Sequence, residues 1–186
     1  IMSVPYPKIS IVTASYNQGH FIEETIRSVL DQNYPNLEYI VIDGGSTDNS
    51  VDIIKKYQQH FTYWVSEKDK GQANAINKGL QLCTGDIFNW LNSDDYLEPG
   101  ALHKIAAAFA DEQVQMVAGK VRNFSSMEEE IIPNQKLSAK GLMCWEPGVK
   151  FVQPGVWMRR ALIEQCGGID EQFHYAFDWD LYIRYL

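Results

Sequence analysis

Two adjacent carboxylates, Asp94 and Asp95, stand directly after an apolar run in FNWLNSDDYLEPG, residues 88–100. Hard oxygen ligands of this kind suit a divalent cation. Paired carboxylates that hydrolyse a glycosidic bond flank it across a cleft, so neighbouring aspartates are the wrong arrangement for that chemistry. A helix start at the following residues gives a second reading, an N-cap with a macrodipole partner, but capping needs one acid. Asp43 opens a similar question. It ends LEYIVID and is followed by GGSTDNS, where Asp and Gly serve turns as well as sites.

The elements that position these acids are legible as alternating patterns. KISIVTA (8–14), LEYIVID (37–43), TYWVSE (62–67) and GDIFNWLN (85–92) are short apolar runs rich in β-branched and aromatic residues, the pattern of buried strands. Between them lie helical periodicities. Phe21, Ile22, Thr25, Ile26, Val29 and Leu30 form one apolar face; Val51, Ile54 and Tyr57 form another, with Ser46 or Thr47 as its expected cap. Ala73, Ile76 and Leu80 point inward from a helix over 72–83, and Leu102, Ile105, Ala106 and Phe109 from one with Pro99 in its first turn. Such βαβ alternation predicts an α/β fold with a mostly parallel sheet between helices.

In such sheets ligands bind beyond the carboxyl ends of the strands. Here the four strands end on Ser15–Tyr16–Asn17, on Asp43, on Glu67 and Asp69, and on Asn92, Asp94 and Asp95. Carboxylates at three of four strand ends predict a site there.

After Val114 the rhythm changes. VQMVAGKVRNF and EEEIIPN predict hairpin or mixed-sheet strands, then a loop to about residue 150. FVQPGVWMRR is a further expected strand, RALIEQCGG a short helix ended by glycine, and FDWDLYIRYL a helix that reads as cut in mid-course, so the natural chain is expected to continue.

The 186 residues suffice for one domain, with 8–110 as a nucleotide-binding type of α/β half and 111–186 as a smaller, mixed-sheet region. Net charge is −8, which disfavours nucleic acid and anionic membranes but leaves room for a phosphorylated ligand bridged by a cation. Three cysteines without C-x-x-C spacing point to a reducing cytoplasm. No signal-peptide pattern and no run of 18 apolar residues is present, so membrane association would need a segment outside this chain.

The segments ISIVTASYNQGHFIEETIRSVLDQNYPNLEYIVIDGGSTDNSVDII, EKDKGQANAINKGLQLCTGDIFNWLNSDDYLEPGAL and GGIDEQFHYAFDWDLYIRY resemble family 2 glycosyltransferases of the GT-A fold. The resemblance implies a nucleotide-sugar donor, a glycan, lipid-linked or other hydroxyl acceptor, inversion, and a role in cell-surface polysaccharide synthesis, in the cytoplasm or at the inner membrane face. It implies that Asp43 accepts a hydrogen bond from the base, that Ala14 and Tyr16 line the base pocket, and that Gly71, Asn74 and Asn77 pass close to the nucleotide. Asp94 and Asp95 match the acidic metal motif for Mn²⁺ or Mg²⁺, Asp95 as direct ligand and Asp94 facing ribose or metal. The motif's first acid is replaced by Asn92. Asp178 matches the general base, preceded by Phe177 where the family has Glu, and Asp180 competes for that role.

The charge logic is that a departing nucleoside diphosphate needs a cation. Nucleotidyl transfer is a rival, but the loop SYNQGHF has no Lys or Arg to hold a triphosphate. A non-catalytic nucleotide-sugar binding module would keep Asp43 without needing Asp178. Trp145, Trp157 and Trp179 are open to stacking on a sugar or to core packing. His20, His60, His103 and His174 lack ligand spacing, and His174 lies near Asp178 in sequence.

Overall fold

The computed structural model describes residues 6–125, 128–134, 137–144, 146–173 and 175–186. Trp145 and His174 lie outside the described residues. Strands β1 (Ile9–Ser15), β2 (Leu37–Asp43), β3 (Tyr63–Ser66) and β4 (Ile87–Trp90) alternate with helices α1 (Ile22–Leu30), α2 (Ser50–Tyr57) and α3 (Gln72–Leu82). Helix α4 (Ala101–Ala108) precedes β5 (Met116–Ala118), β6 (Val121–Phe124) and β7 (Glu129–Ile132). Then come α5 (Ala139–Cys144), β8 (Val156–Arg159), α6 (Arg160–Gln165) and α7 (Phe177–Tyr185).

The main sheet has the order β3-β2-β1-β4-β8-β5, and β6 pairs with β7 in a separate antiparallel ribbon. The β3-β2-β1-β4 portion is parallel, with Ser15 opposite Asp43 and Asp43 opposite Ser66. β8 runs antiparallel to both β4 and β5. The expected α/β layering with a parallel sheet and a mixed-sheet region is therefore present.

Side-chain alternation along the strands splits the core in two. Val12, Ile40, Ile42, Phe88 and Trp90 pack with α3, α5, α6 and α7; Ile9, Ile11, Tyr39, Val41 and Ile87 pack with α1, α2 and α4. Helix α3 lies close to β1 because Gly79 carries no side chain: a Cβ there would sit 2.5 Å from Val12 Cγ1.

Four local expectations are corrected. Ser46 and Thr47 do not cap α2; its N-cap is Asn49, and Asp48 Oδ1 accepts the Ser50 amide at 2.9 Å. Pro99 lies ahead of α4, whose N-cap is Gly100 at φ 74°. The region read as loop up to residue 150 contains α5, which buries Leu142 completely although Gly141 and the helix's six-residue length obscure its periodicity. In FVQPGVWMRR only Val156–Arg159 is strand, because residues 153–155 around Pro154 form a 3-10 turn.

Candidate active site

The strand order changes direction between β1 and β4. Successive strands run outward from β1 through β2 to β3, and the chain then returns to place β4 on the other side of β1. The segments leaving such a pair diverge to opposite faces and open a crevice at their carboxyl ends. A cleft of about 620 Å³ occupies that position, lined by Ala14, Ser15 and Tyr16 from the end of β1 and by Asn92, Ser93 and Asp94 beyond β4. Gln18, Gly44, Lys68, Asp69, Gly71, Gln72 and Ala75 complete its wall.

The loop after β1 is held open by hydrogen bonds to the loop after β2. Asn17, in the left-handed region at φ 53°, accepts the Thr47 amide at 2.8 Å and donates its own amide to Ser46 Oγ at 2.8 Å. Gln18 and Gly19 donate to Ser50 Oγ and Asp48 Oδ2, each at 2.9 Å. This zipper leaves the Tyr16 ring 61% exposed at the cleft. Ser15 belongs to the same wall, and its buried Oγ has no hydrogen-bond partner among the described residues.

Asp43 is engaged by protein groups. It is 0% exposed, and its carboxylate accepts from the amides of Gly45 and Ser46, the Ser46 hydroxyl and the Ser66 hydroxyl. With its oxygens so engaged it braces two loops behind the cleft and does not line it. Asp69 and Asp94 do line it; the Asp69 side chain lies against Gly44, where a Cβ would meet Asp69 Oδ2 at 2.8 Å, and its Oδ1 accepts the Gly71 amide at 2.8 Å. Gly71 is at φ 110°, a conformation that favours glycine and starts α3 at the cleft.

Asn74 and Asn77 are not in the cleft wall; both donate to Glu171 at 3.0 Å.

Asp94 and Asp95 are not helix caps, because Gly100 fills that position before α4. Asp94 is exposed and lines both the β1–β4 cleft and a larger neighbouring one of about 1390 Å³, which is bounded by Asp95, Tyr96, α4 and the β6–β7 ribbon. Burial, and then the charge of Asp94, push the Asp95 carboxyl up to about 6. Asn92 opposes that rise: its amide donates to Asp95 Oδ2 at 3.1 Å while its oxygen accepts from Gln72 at 2.6 Å. Two mutually repelling carboxylates on one short loop fit a divalent cation. Among the described residues no group of three or more His, Cys, Asp or Glu side chains could surround one, so further ligands would come from a bound phosphate or water.

Asp178 lies in the first turn of α7, and burial raises its pKa against the hydrogen bond from the Trp179 amide at 2.8 Å. Its charge acts on the buried Tyr182 hydroxyl, and the Tyr182 ring stacks on Trp90 of β4 at 6.2 Å. This packing ties Asp178 to the strand that delivers Asp94, although Asp178 is not in the wall of the β1–β4 cleft. Asp180, the competing acid, is committed to an i,i+4 ion pair with Arg184 at 2.7 Å.

Of the tryptophans, Trp157 is core and Trp179 lines a cavity of about 360 Å³ with Phe151 and Glu130. His20, His60 and His103 lie on the surface. Sequence reasoning passed over Lys68, Gln72 and Glu171. The signal available was position alone, next to the strand-three acids and inside GGIDE, with no chemistry distinctive enough to select them.

Comparison with known proteins adds the family. The Bacillus subtilis (strain 168) protein TuaG, named as a teichuronic acid biosynthesis glycosyltransferase, is 39% identical over 103 residues, 53% of this chain and 40% of its own length. The chain thus spans well under half of that relative. Staphylococcus aureus TarS 1-349, solved in complex with UDP, superposes with a TM-score of 0.72 at 25% identity, covering 94% of this chain and 54% of that one. The mannosyltransferase PcManGT from Pyrobaculum calidifontis, in complex with GDP-Man and Mn²⁺, shares the fold with a TM-score of 0.70 at 22% identity, covering 96% and 52%. The family model described as glycosyl transferase family 2 matches residues 10–167, and the chain is a member of that family.

Proposed function

We propose that this chain is a glycosyltransferase domain that moves a sugar from a nucleoside-diphosphate donor to a hydroxyl acceptor with inversion, in cell-surface polysaccharide synthesis. Residues 8–110 form its donor half and 111–186 its acceptor side. The observation that carries the reading is the cleft at the β1–β4 switch point, where Asp94 faces Tyr16, Ser15 and Lys68 across a volume suited to a nucleotide, within the ~300–1,000 Å³ usual for ligand sites. That TarS was solved with UDP and PcManGT with GDP-Man and Mn²⁺ supports a nucleotide ligand for a chain of this fold.

In this reading Tyr16 and Ala14 form the base platform, and Lys68 supplies positive charge to the phosphates. Mn²⁺ or Mg²⁺ held by Asp94 and Asp95 would neutralise charge on the leaving diphosphate. Asn92 orients Asp95 toward that role. Asp178, with a proton affinity raised by burial, takes the proton from the acceptor hydroxyl as it attacks the anomeric carbon opposite the leaving group. A base on the face opposite the leaving diphosphate is what direct displacement with inversion requires.

The test is a titration of the chain with UDP, GDP, CDP and dTDP, each with and without Mn²⁺, followed by transfer assays with the matching sugars. A thermal shift that requires nucleotide and metal together is the expected result. Asp178→Asn should then abolish transfer while nucleotide affinity stays within about twofold. Equal loss of both would remove the assignment of Asp178 as base.

A further inference from the structure

Asn74 and Asn77 lie one turn apart on α3 and grip the same carboxylate. Asn74 Nδ2 donates to Glu171 Oε2 and Asn77 Nδ2 to Glu171 Oε1, each at 3.0 Å. Asn77 also clasps the backbone of Ile169, donating to its carbonyl at 2.8 Å and accepting its amide at 3.2 Å. The amide oxygen of Asn74 faces the other way, accepting the Lys70 amide at 3.3 Å. Lys70 sits between Asp69 and Gly71, both in the wall of the β1–β4 cleft. One asparagine side chain therefore touches the cleft loop at one end and Glu171 at the other.

The segment holding Glu171 is fastened on its opposite side to α7. Gly167 and Gly168, at φ 89° and 73°, turn the chain after α6. Arg184 of α7 donates to the carbonyls of Cys166 and Gly168 while paired with Asp180. Residues 166–171 are thus a bridge with side-chain clamps at both ends: Asn74 and Asn77 from the donor half, Arg184 from the helix that carries Asp178.

We propose that Glu171 is a positioning residue, which by engaging Asn74 and Asn77 together sets the separation between the donor cleft and the first turn of α7. The inference rests on the reading of Asp178 as base. In-line displacement is sensitive to that separation, since a misplacement of about 1 Å costs on the order of 100-fold in rate. Glu171 is exposed, and truncating an exposed side chain alters global stability little, so a kinetic effect larger than the stability effect is the signature sought.

The experiment uses the whole chain with Mn²⁺ and whichever of UDP-GlcNAc or GDP-mannose the wild type turns over, measuring kcat for nucleotide release and the Kd of UDP or GDP. Glu171→Ala should lower kcat by about 10- to 100-fold with Kd within about twofold. The double variant Glu171→Gln with Asn74→Asp restores both hydrogen bonds with one donor and acceptor exchanged, and should recover most of the rate. An unchanged kcat in Glu171→Ala, a parallel loss of nucleotide affinity, or no recovery in the double variant would overturn the proposal. Hydrogen exchange of residues 177–185 supplies a readout independent of turnover. Faster exchange in Glu171→Ala, reversed in the double variant, supports the bridge even if neither donor is accepted; unchanged exchange refutes it. Failure of the wild type to bind any nucleotide with metal would instead remove the proposed function.

Discussion

Asn92 occupies the position where the family pattern has a third acid, and its amide does something a carboxylate cannot: it donates to Asp95 while accepting from Gln72. Asn92→Asp would replace that donor by a further negative charge on a loop where Asp95 is already pushed up to about 6. The expected outcome is a lower metal-free melting temperature together with a larger rise on adding Mn²⁺, read by calorimetry with and without EDTA. The pH dependence of metal binding follows the same carboxylate. Above about 6 Asp95 is ionised and available to a cation; as pH falls through 6 a proton competes, so Mn²⁺ affinity should drop there, and Asp95→Asn should remove both the affinity and the pH step. Isothermal titration between pH 5 and 8 checks it. Asp94 and Asp95 were legible from their adjacency alone. That Asp43 and the two α3 asparagines bind protein groups was not, because a carboxylate or amide has the same appearance in sequence whatever the fold brings against it.

At the scale of elements, α3 links the site to the core. It starts at Gly71 in the cleft wall, presents Asn74 and Asn77 to the segment before α7, and packs Gly79 against Val12 of β1. Gly79→Ala would put a Cβ into the two methyls of Val12, which is held fully buried in a strand and has little room to retreat. A destabilisation of about 1–3 kcal/mol is expected. Val12→Ala in the same chain should relieve part of it, measurable by urea denaturation of the single and double variants. Helices α1, α3 and α4 were readable because their apolar faces recur over several turns. α5 was missed for the converse reason: six residues give too few repeats, and its burial comes from packing against α7 rather than from its own pattern.

Across the whole molecule the acids divide by sheet end. At the carboxyl ends of the strands lie Asp69, Asp94 and Asp95; at the opposite end Glu38 is buried and accepts from Ser10 Oγ, Thr84 N and Thr84 Oγ1, and pairs with Lys8 at 2.7 Å. Burial alone would raise the Glu38 pKa, but these donors outweigh it and hold the carboxyl down at about 2. A depressed folded-state pKa contributes stability that is present above the ordinary value of 4.5 and is lost as pH falls toward 2. The difference corresponds to about 3 kcal/mol at neutral pH. Glu38→Gln should therefore lower stability at pH 7 by an amount of that order and flatten its pH dependence between 4.5 and 2, while nucleotide affinity, governed by the other end of the sheet, stays unchanged. The sequence by itself determined the parallel α/β layering, the boundaries of β2, and the acidic loop after β4, because each is written in local periodicity or in adjacent residues. Only the tertiary structure decided which acids face the cleft, which brace loops, and that Glu171 meets Asn74 and Asn77 of α3. Those assignments depend on contacts such as Ser66 with Asp43, 23 positions apart, and Glu171 with Asn77 and Asn74, 94 and 97 apart, which no local pattern encodes.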